Sequence, residues 1–148
     1  MKKLFLIAGL LVLLSSCSKS VLTTYPPDVS GTWTLAEASR SNGLGWQYIN
    51  SNLDGGLFDF YRSGAATYDD GHNLMRGSWK IYTRNSGYYD QYGQYYNQLH
   101  HVFEVNVYDG YTGASVDMYF DQVIRSGNLL IATHYDGYYV YRYVFQRY

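Results

Sequence analysis

Turn dipeptides that end in glycine punctuate this chain from residue 42 to residue 137. Asp-Gly, Asn-Gly and Ser-Gly pairs tolerate the positive φ angles of tight hairpin turns, so their recurrence favours antiparallel strands. The segments between them are rich in tyrosine, valine, phenylalanine and threonine, often in the alternating pattern of strands with one buried face. The pairs are Asn42-Gly43, Asp54-Gly55, Ser63-Gly64, Asp70-Gly71, Ser86-Gly87, Asp109-Gly110, Ser126-Gly127 and Asp136-Gly137.

The segments between the turns predict eight strands. No long stretch has the 3.6-residue periodicity of a helix, and the glycines between residues 40 and 55 favour a loop there. Short connections predict an all-β fold, an eight-stranded antiparallel up-and-down barrel, whereas the alternative two-sheet sandwich needs longer crossovers. The predicted strands span residues 30–38, 57–62, 65–69, 76–84, 100–108, 114–124, 128–135 and 138–147.

The first seventeen residues have the pattern of an export signal. Two lysines precede an apolar run from Leu4 to Leu14, and two small serines lead to Cys17, so residues 1 to 16 are predicted to be a signal peptide. The ending Leu-Ser-Ser-Cys resembles a bacterial lipobox, which implies lipidation of Cys17 and attachment to a membrane through that lipid. An ordinary signal peptide with an accidental cysteine is the alternative. Ser18 after the cysteine resembles the sorting signal for the outer membrane of a Gram-negative bacterium.

The remaining chain is long enough for a single domain. Residues 17 to 28 contain both prolines and are predicted to be a lipidated tether, and residues 29 to 148 form the domain. Without the two lysines of the signal peptide, nine basic residues stand against twelve acidic ones, a formal net charge of −3. The basic residues are scattered instead of clustered on one face, so no nucleic-acid partner is expected.

Four segments carry a resemblance to a known family. The first strand opens with Gly31-x-Trp33, and FDFYRSGAATYDD, RGSWKIY and the final YRYVFQRY follow in order. Over residues 29 to 148 the chain resembles the small lipocalin-like lipoproteins of Gram-negative bacteria. The resemblance implies a barrel that is closed at one end by Trp33 stacked on Arg147. The chain departs from secreted animal lipocalins in lacking a Thr-Asp-x-x-Tyr segment, a disulfide and a final helix.

Few residues in this sequence suggest catalysis or metal binding. The only glutamates are Glu37 and Glu104, and no nucleophile motif is present, so we expect no enzyme activity, no catalytic residue and no cofactor. The neighbours His100 and His101 point to opposite faces of a strand, and a polar hairpin turn accounts for His72 better than a cation site does. We therefore expect no metal site.

The aromatic residues of the predicted strands face inward and provide candidates for contact with a ligand. They line either an apolar cavity for a small hydrophobic or amphipathic molecule or a barrel that they fill completely. The candidate lining residues are Trp33, Phe58, Phe60, Trp79, Phe103, Met118, Tyr141 and Phe145.

The segment SGYYDQYGQYYNQ, residues 86 to 98, is predicted to be a long hairpin with Gly93 near its tip. Tyrosine suits binding surfaces, so this hairpin is a candidate projection that caps a ligand or contacts an envelope protein or glycan. The alternative is a twisted ribbon whose tyrosines stack on one another. The candidate contact residues are Tyr88, Tyr89, Tyr92, Tyr95 and Tyr96.

Overall fold

The computed structural model describes residues 25 to 148, which contain ten β-strands and no helix. All the pairings between these strands are antiparallel, which confirms the prediction of an all-β antiparallel fold. The signal peptide, Cys17 and most of the predicted tether lie outside the described residues. The strands are β1 Gly31–Ser41, β2 Trp46–Tyr48, β3 Leu57–Phe60, β4 Ala65–Asp69, β5 Leu74–Tyr89, β6 Tyr95–Tyr108, β7 Ser115–Phe120, β8 Gln122–Ser126, β9 Leu129–Tyr135 and β10 Val140–Arg147.

The hydrogen-bonded sheet is open. Its strand order is β7-β6-β5-β4-β3-β1-β10-β9-β8, with β2 paired to β1 beside this path, so β7 and β8 are the two ends. The described part of the chain has ten strands, whereas the sequence predicted eight, and two differences account for this. The segment predicted as a loop contains β2, and the strand predicted at residues 114–124 is split into β7 and β8 at Asp121.

Asp121 explains the split. Its carboxylate accepts hydrogen bonds from the Tyr135 backbone amide, at 2.8 Å, and from the His134 ring, at 3.2 Å. Both partners belong to β9 or its end, whereas the preceding Phe120 pairs with Phe103 of β6. The chain therefore changes its pairing partner from β6 to β9 at a single residue. A single polar residue within a strand pattern does not predict such a change from the sequence.

The first and last strands hold the two parts of the sheet together. β1 pairs with β10 over most of its length, from Trp33 opposite Arg147 to Ser41 opposite Val140. A β-bulge between Leu35 and Glu37 interrupts the register. Bulges increase the local twist and bend a strand, so this one contributes to the curvature of the sheet around its core.

The core is an aromatic cluster on one face of the sheet. Trp33, Phe58, Phe103 and Phe145 have no exposed surface, and Phe60 is also buried. Their rings touch, with centroid distances of 5.4 Å for Phe60 and Phe103 and 5.8 Å for Phe58 and Phe145, both edge to face. Each such side chain contributes roughly 1.5–3 kcal/mol by burial. These rings fill the deep part of the core.

The hairpin of β5 and β6 is much longer than its neighbours. It extends past the core and its end lies across the outer face of β9 and β10. There Thr133 donates a hydrogen bond to the Tyr89 carbonyl, at 2.7 Å, and Arg142 donates one to the Gln91 carbonyl, at 3.3 Å. Thr133 and Arg142 pair in register and point away from the core, because Ala132 next to Thr133 belongs to the core cluster. The hairpin therefore adds a second layer outside the sheet.

No helix within residues 25 to 148 has the length and apolar character needed to cross a membrane.

Candidate functional site

A cavity of about 630 Å³ opens on the core side of the sheet. Its apolar wall consists of side chains from four strands and of Leu53 from the β2–β3 connection, all above the aromatic core, and its rim is polar. A concave site of this size with an apolar floor and a few polar groups suits a small amphipathic molecule. The apolar wall contains Leu53, Tyr68, Met75, Val116, Met118, Phe120 and Tyr143, and the rim contains Ser51, Asn52, Asp70, Ser115, Asp117, Tyr119 and His134.

Strand alternation positions the wall residues that belong to strands. Tyr68 of β4 stacks on Phe58 with 4.2 Å between ring centroids, which fixes it as the floor of the cavity. Met118 pairs in register with Val105 of β6, a core residue, so both project to the same side of the sheet. Tyr143 of β10 pairs with Ala132 and packs edge to face on Phe120.

The two phenols in the wall stay neutral at physiological pH. Burial raises the pKa of Tyr68, and the Asp70 and Asp54 carboxylates raise it further. Burial also raises the pKa of Tyr143. Both hydroxyls can therefore donate a hydrogen bond to a polar group of a ligand without introducing charge.

The predicted lining residues occupy four different places. Met118 lies in the cavity wall. Trp33, Phe58, Phe60, Phe103 and Phe145 lie below the cavity in the filled core. Trp79 is partly buried against the core, and its indole donates a hydrogen bond to the Tyr61 carbonyl. Tyr141 stands beside the rim, stacked on His134 at 6.3 Å. The cavity therefore lies above the candidate residues and contains only one of them.

Three cavity residues, Tyr68, Met75 and Tyr143, were not predicted from the sequence. Tyr68 and Tyr143 alternate correctly with Ala66 and Phe145, so the period-two pattern contained the signal. Met75 lies at the start of β5, just before the predicted beginning of that strand. Its exclusion followed from placing the strand boundary at residue 76.

The Trp33 ring meets two guanidinium groups. The Cζ of Arg147 is 5.7 Å from the centroid of the indole, and that of Arg125 is 5.9 Å from it. The indole Nε1 donates a hydrogen bond to the Val29 carbonyl, at 2.7 Å. The resemblance implied the pairing of Trp33 with Arg147, but Arg125 was not anticipated from the sequence.

Four of the five candidate tyrosines of the hairpin stack in two cross-strand pairs. Tyr88 lies opposite Tyr96, at 5.8 Å, and Tyr89 lies opposite Tyr95, at 5.3 Å. Tyr88 is buried, whereas Tyr92, Tyr95 and Tyr96 are exposed. The predicted turn at Gly93 is confirmed, since its φ is 78° and its amide donates to the Asp90 carbonyl. The hairpin thus shows both stacking and exposed rings.

A groove of about 760 Å³ runs between this hairpin and β8. It is separate from the core-side cavity and shares no lining residue with it. The first described residues of the chain form part of its wall. The groove is lined by Tyr25, Pro26, Pro27, Tyr88, Asp90, Gln91, Tyr92, Tyr96, Gln98, His100, His101, Gln122, Val123, Ile124, Arg125 and Gly127.

The acidic residues of the His72 turn cap their own backbone. Asp70 accepts hydrogen bonds from the Asn73 side chain and from the amides of Asn73 and His72, which lowers its pKa to about 2. Asp69 accepts one from the Gly71 amide. Residues 25 to 148 contain no group of three or more histidine, cysteine or acidic residues arranged for a metal ion. The polar turn accounts for these residues.

The two glutamates form ion pairs. Glu104 contacts Lys80 at 2.8 Å and accepts a hydrogen bond from the Tyr82 hydroxyl, which raises the pKa of Tyr82 to about 12. Glu37 binds Arg142 at 2.6 Å. Both carboxylates therefore have structural partners.

No protein-family model, curated protein or solved structure matches this chain.

Proposed function

We propose that this protein is a noncatalytic carrier or sensor that binds a small apolar or amphipathic molecule in the core-side cavity. The observation that carries the proposal is the combination of an apolar floor, made by Tyr68, Met75, Met118 and Phe120, with a polar rim that includes His134. Such a site accepts a hydrocarbon portion inside and leaves a polar head at the mouth.

The proposal includes a lipocalin-like mode of binding. In this proposal the sheet surrounds an aromatic core, and the ligand occupies the cavity beside that core. The Trp33 and Arg147 side chains contact each other where β1 begins and β10 ends. The bulge in β1 supports the curvature of the sheet. In this proposal the sheet is open between β7 and β8, where an eight-stranded barrel would be closed by hydrogen bonds.

The proposal also places the protein on a membrane. Lipidation of Cys17 would anchor the domain in the cell envelope, most simply at the outer membrane of a Gram-negative bacterium, with residues 17 to 28 as the tether. Intact-mass measurement of the full chain isolated from membranes tests this point. The expected result is cleavage before Cys17 with an added acyl mass, and a Cys17→Ala variant should lose that mass. A mature chain that begins elsewhere without lipid would contradict it.

Native mass spectrometry tests ligand binding, with the full chain released from lipid nanodiscs and dodecanoic acid as the probe. The expected result is a one-to-one adduct that becomes at least about fivefold less populated in Met118→Trp, because the larger ring fills the cavity. Leu44→Trp is the matched control, since Leu44 is 93% exposed and lies outside the cavity.

The absence of an adduct with the parent protein would contradict the proposed function, and so would equal adducts in both variants. Val116→Phe is a second cavity-filling substitution, made at a residue with some exposed surface. It should reduce the adduct in the same direction if Met118→Trp disturbs folding.

A further inference from the structure

The groove between the β5–β6 hairpin and β8 presents aromatic faces together with neutral hydrogen-bonding groups. Tyr92 is 70% exposed and Tyr96 is 41% exposed, and the buried Tyr88 stacks between Tyr96 and His100. Tyrosine offers a flat apolar face and a hydroxyl at its edge, so it suits ligands that combine apolar and polar surface.

The charged groups of the groove already have partners in the protein. Asp90 accepts hydrogen bonds from the amides of Tyr92 and Gln94, both close to 2.9 Å. Arg125 donates to the carbonyls of Asp28 and Gly127. The Asp90 carboxylate and the Arg125 guanidinium also carry charges of opposite sign. The groove therefore offers little attraction for a strongly charged ligand.

The remaining polar groups can both donate and accept hydrogen bonds. Gln98 donates from its amide nitrogen to the Tyr88 hydroxyl, at 3.0 Å, which orients its carboxamide beside the stacked rings. His100 Nδ1 lies 2.9 Å from the Gln98 carbonyl, which only accepts, so Nδ1 carries the proton of this contact. Gln122 on β8 supplies another carboxamide across the groove. Amides and hydroxyls of this kind match ligand hydroxyl groups.

We propose that this groove binds a neutral oligosaccharide, with sugar rings stacked on Tyr92 and Tyr96 and hydroxyl groups bonded to Gln98 and Gln122. The ring of a pyranose has an apolar C–H face and hydroxyls at its edge, which complements this arrangement of aromatic faces and amides. The proposal is independent of the core-side cavity, because the two sites have no residue in common.

Isothermal titration calorimetry tests the proposal with the full chain in phosphatidylcholine nanodiscs, and cellohexaose and maltohexaose as probes. The expected result is binding of at least one of them that becomes about tenfold weaker in Tyr96→Ser, the loss expected for an aromatic contact residue. Gln122→Ala should also weaken it. The matched control is Tyr108→Ser, because Tyr108 lies on the same strand, is 66% exposed and is not part of the groove.

Three results would overturn the proposal. One is the absence of binding of both probes at concentrations up to about 5 mM. Another is equal weakening by Tyr96→Ser and Tyr108→Ser, which would place the contact outside the groove. The third is binding of a sulfated saccharide such as heparin hexasaccharide, or of an extended peptide along the edge of β8, in place of both neutral probes. A loss of dodecanoic acid binding would not affect this test.

Discussion

The Asp121 carboxylate accepts a hydrogen bond from the His134 ring, with 3.2 Å between Oδ2 and Nδ1, at the residue where the chain passes from β7 to β8. This contact joins one end of the open sheet to β9. It raises the pKa of His134, against the opposing effect of burial, and Asp136 adds to the rise. Burial raises the pKa of Asp121, but the hydrogen bonds from His134 and Tyr135 outweigh it and the net shift is downward.

We expect the free energy of unfolding to depend on pH through this pair. The contribution of His134 is present below its unfolded pKa of about 6.5 and is lost as the pH rises through the higher folded value. The contribution of Asp121 is present above about 3.8 and is lost as the pH falls through the lower folded value. The pair therefore stabilises most between about pH 4 and 6.5. The His134 side chain is 37% exposed, so solvent screening limits the effect to less than about 1 kcal/mol.

Urea denaturation across this pH range checks the prediction. His134→Asn should flatten the loss of stability above pH 6.5. His72→Asn, a substitution in the exposed β4–β5 turn, is the control and should leave the profile of the parent protein unchanged. Equal profiles for His134→Asn and the parent would show that the contact does not form in solution.

The Arg142 side chain contacts β1, β2 and the turn of the β5–β6 hairpin. Its guanidinium binds Glu37 at 2.6 Å, donates to the Gln91 carbonyl and lies 4.3 Å from the centroid of the Trp46 ring. Arg142→Ala should lower the free energy of unfolding by about 2 kcal/mol, because it leaves the Glu37 carboxylate with the Ser39 hydroxyl but without a cation in a partly buried site. Chemical denaturation with exposed Arg62→Ala as the control measures this difference. A cost below that of the control would refute the role of Arg142.

The backbones of β5 and β6 lie close together at Gly77. A Cβ at this position would clash with the Asn106 carbonyl oxygen, a backbone atom that cannot rotate away. Gly77→Ala should therefore lower the free energy of unfolding by about 1–3 kcal/mol, as overpacking does. Gly110→Ala is the matched control, since its nearest contact is 3.9 Å away on the Tyr108 ring. Thermal denaturation should separate the two variants, and coincident curves would contradict the steric argument.

Trp33 should matter more for stability than the arginines stacked on it. The indole is fully buried, so Trp33→Ala should cost about 3–5 kcal/mol through lost packing. Arg147 is exposed, so Arg147→Gln should cost less than about 1 kcal/mol, the value of an exposed cation–π contact. Denaturant titration of both variants gives the comparison. Equal costs would show that the guanidinium, and not burial, dominates this end of the core.

Much of the strand pattern could be predicted from local sequence. Glycine turns mark where most strands end, and alternation identified the inward residues Phe58, Phe60, Phe103 and Phe145. These features depend on neighbouring residues and on a fixed period of two. The short strand β2 escaped prediction because its three residues stand among glycines and gain their pairing from β1.

The positions of the cavity and the groove could not be predicted in the same way. The groove exists because the β5–β6 hairpin folds back on the outer face, and that depends on contacts between residues far apart in the chain, such as Tyr89 and Thr133. The cavity depends on where the aromatic side chains stop filling the core. Both are properties of packing in three dimensions, which alternation along one strand does not contain.

The pairing of β1 with β10 has a consequence for how the protein reaches its fold. Trp33 and Arg147 pair in the β1–β10 ladder although they are 114 positions apart in the chain (147 minus 33). Most of the other ladders join strands that follow one another, so they form as local hairpins with little loss of loop entropy. We therefore expect the β1–β10 ladder to form late and to limit the folding rate, as long-range β pairing does. Synthesis from the N-terminus leaves β1 without this partner until the last strand has emerged.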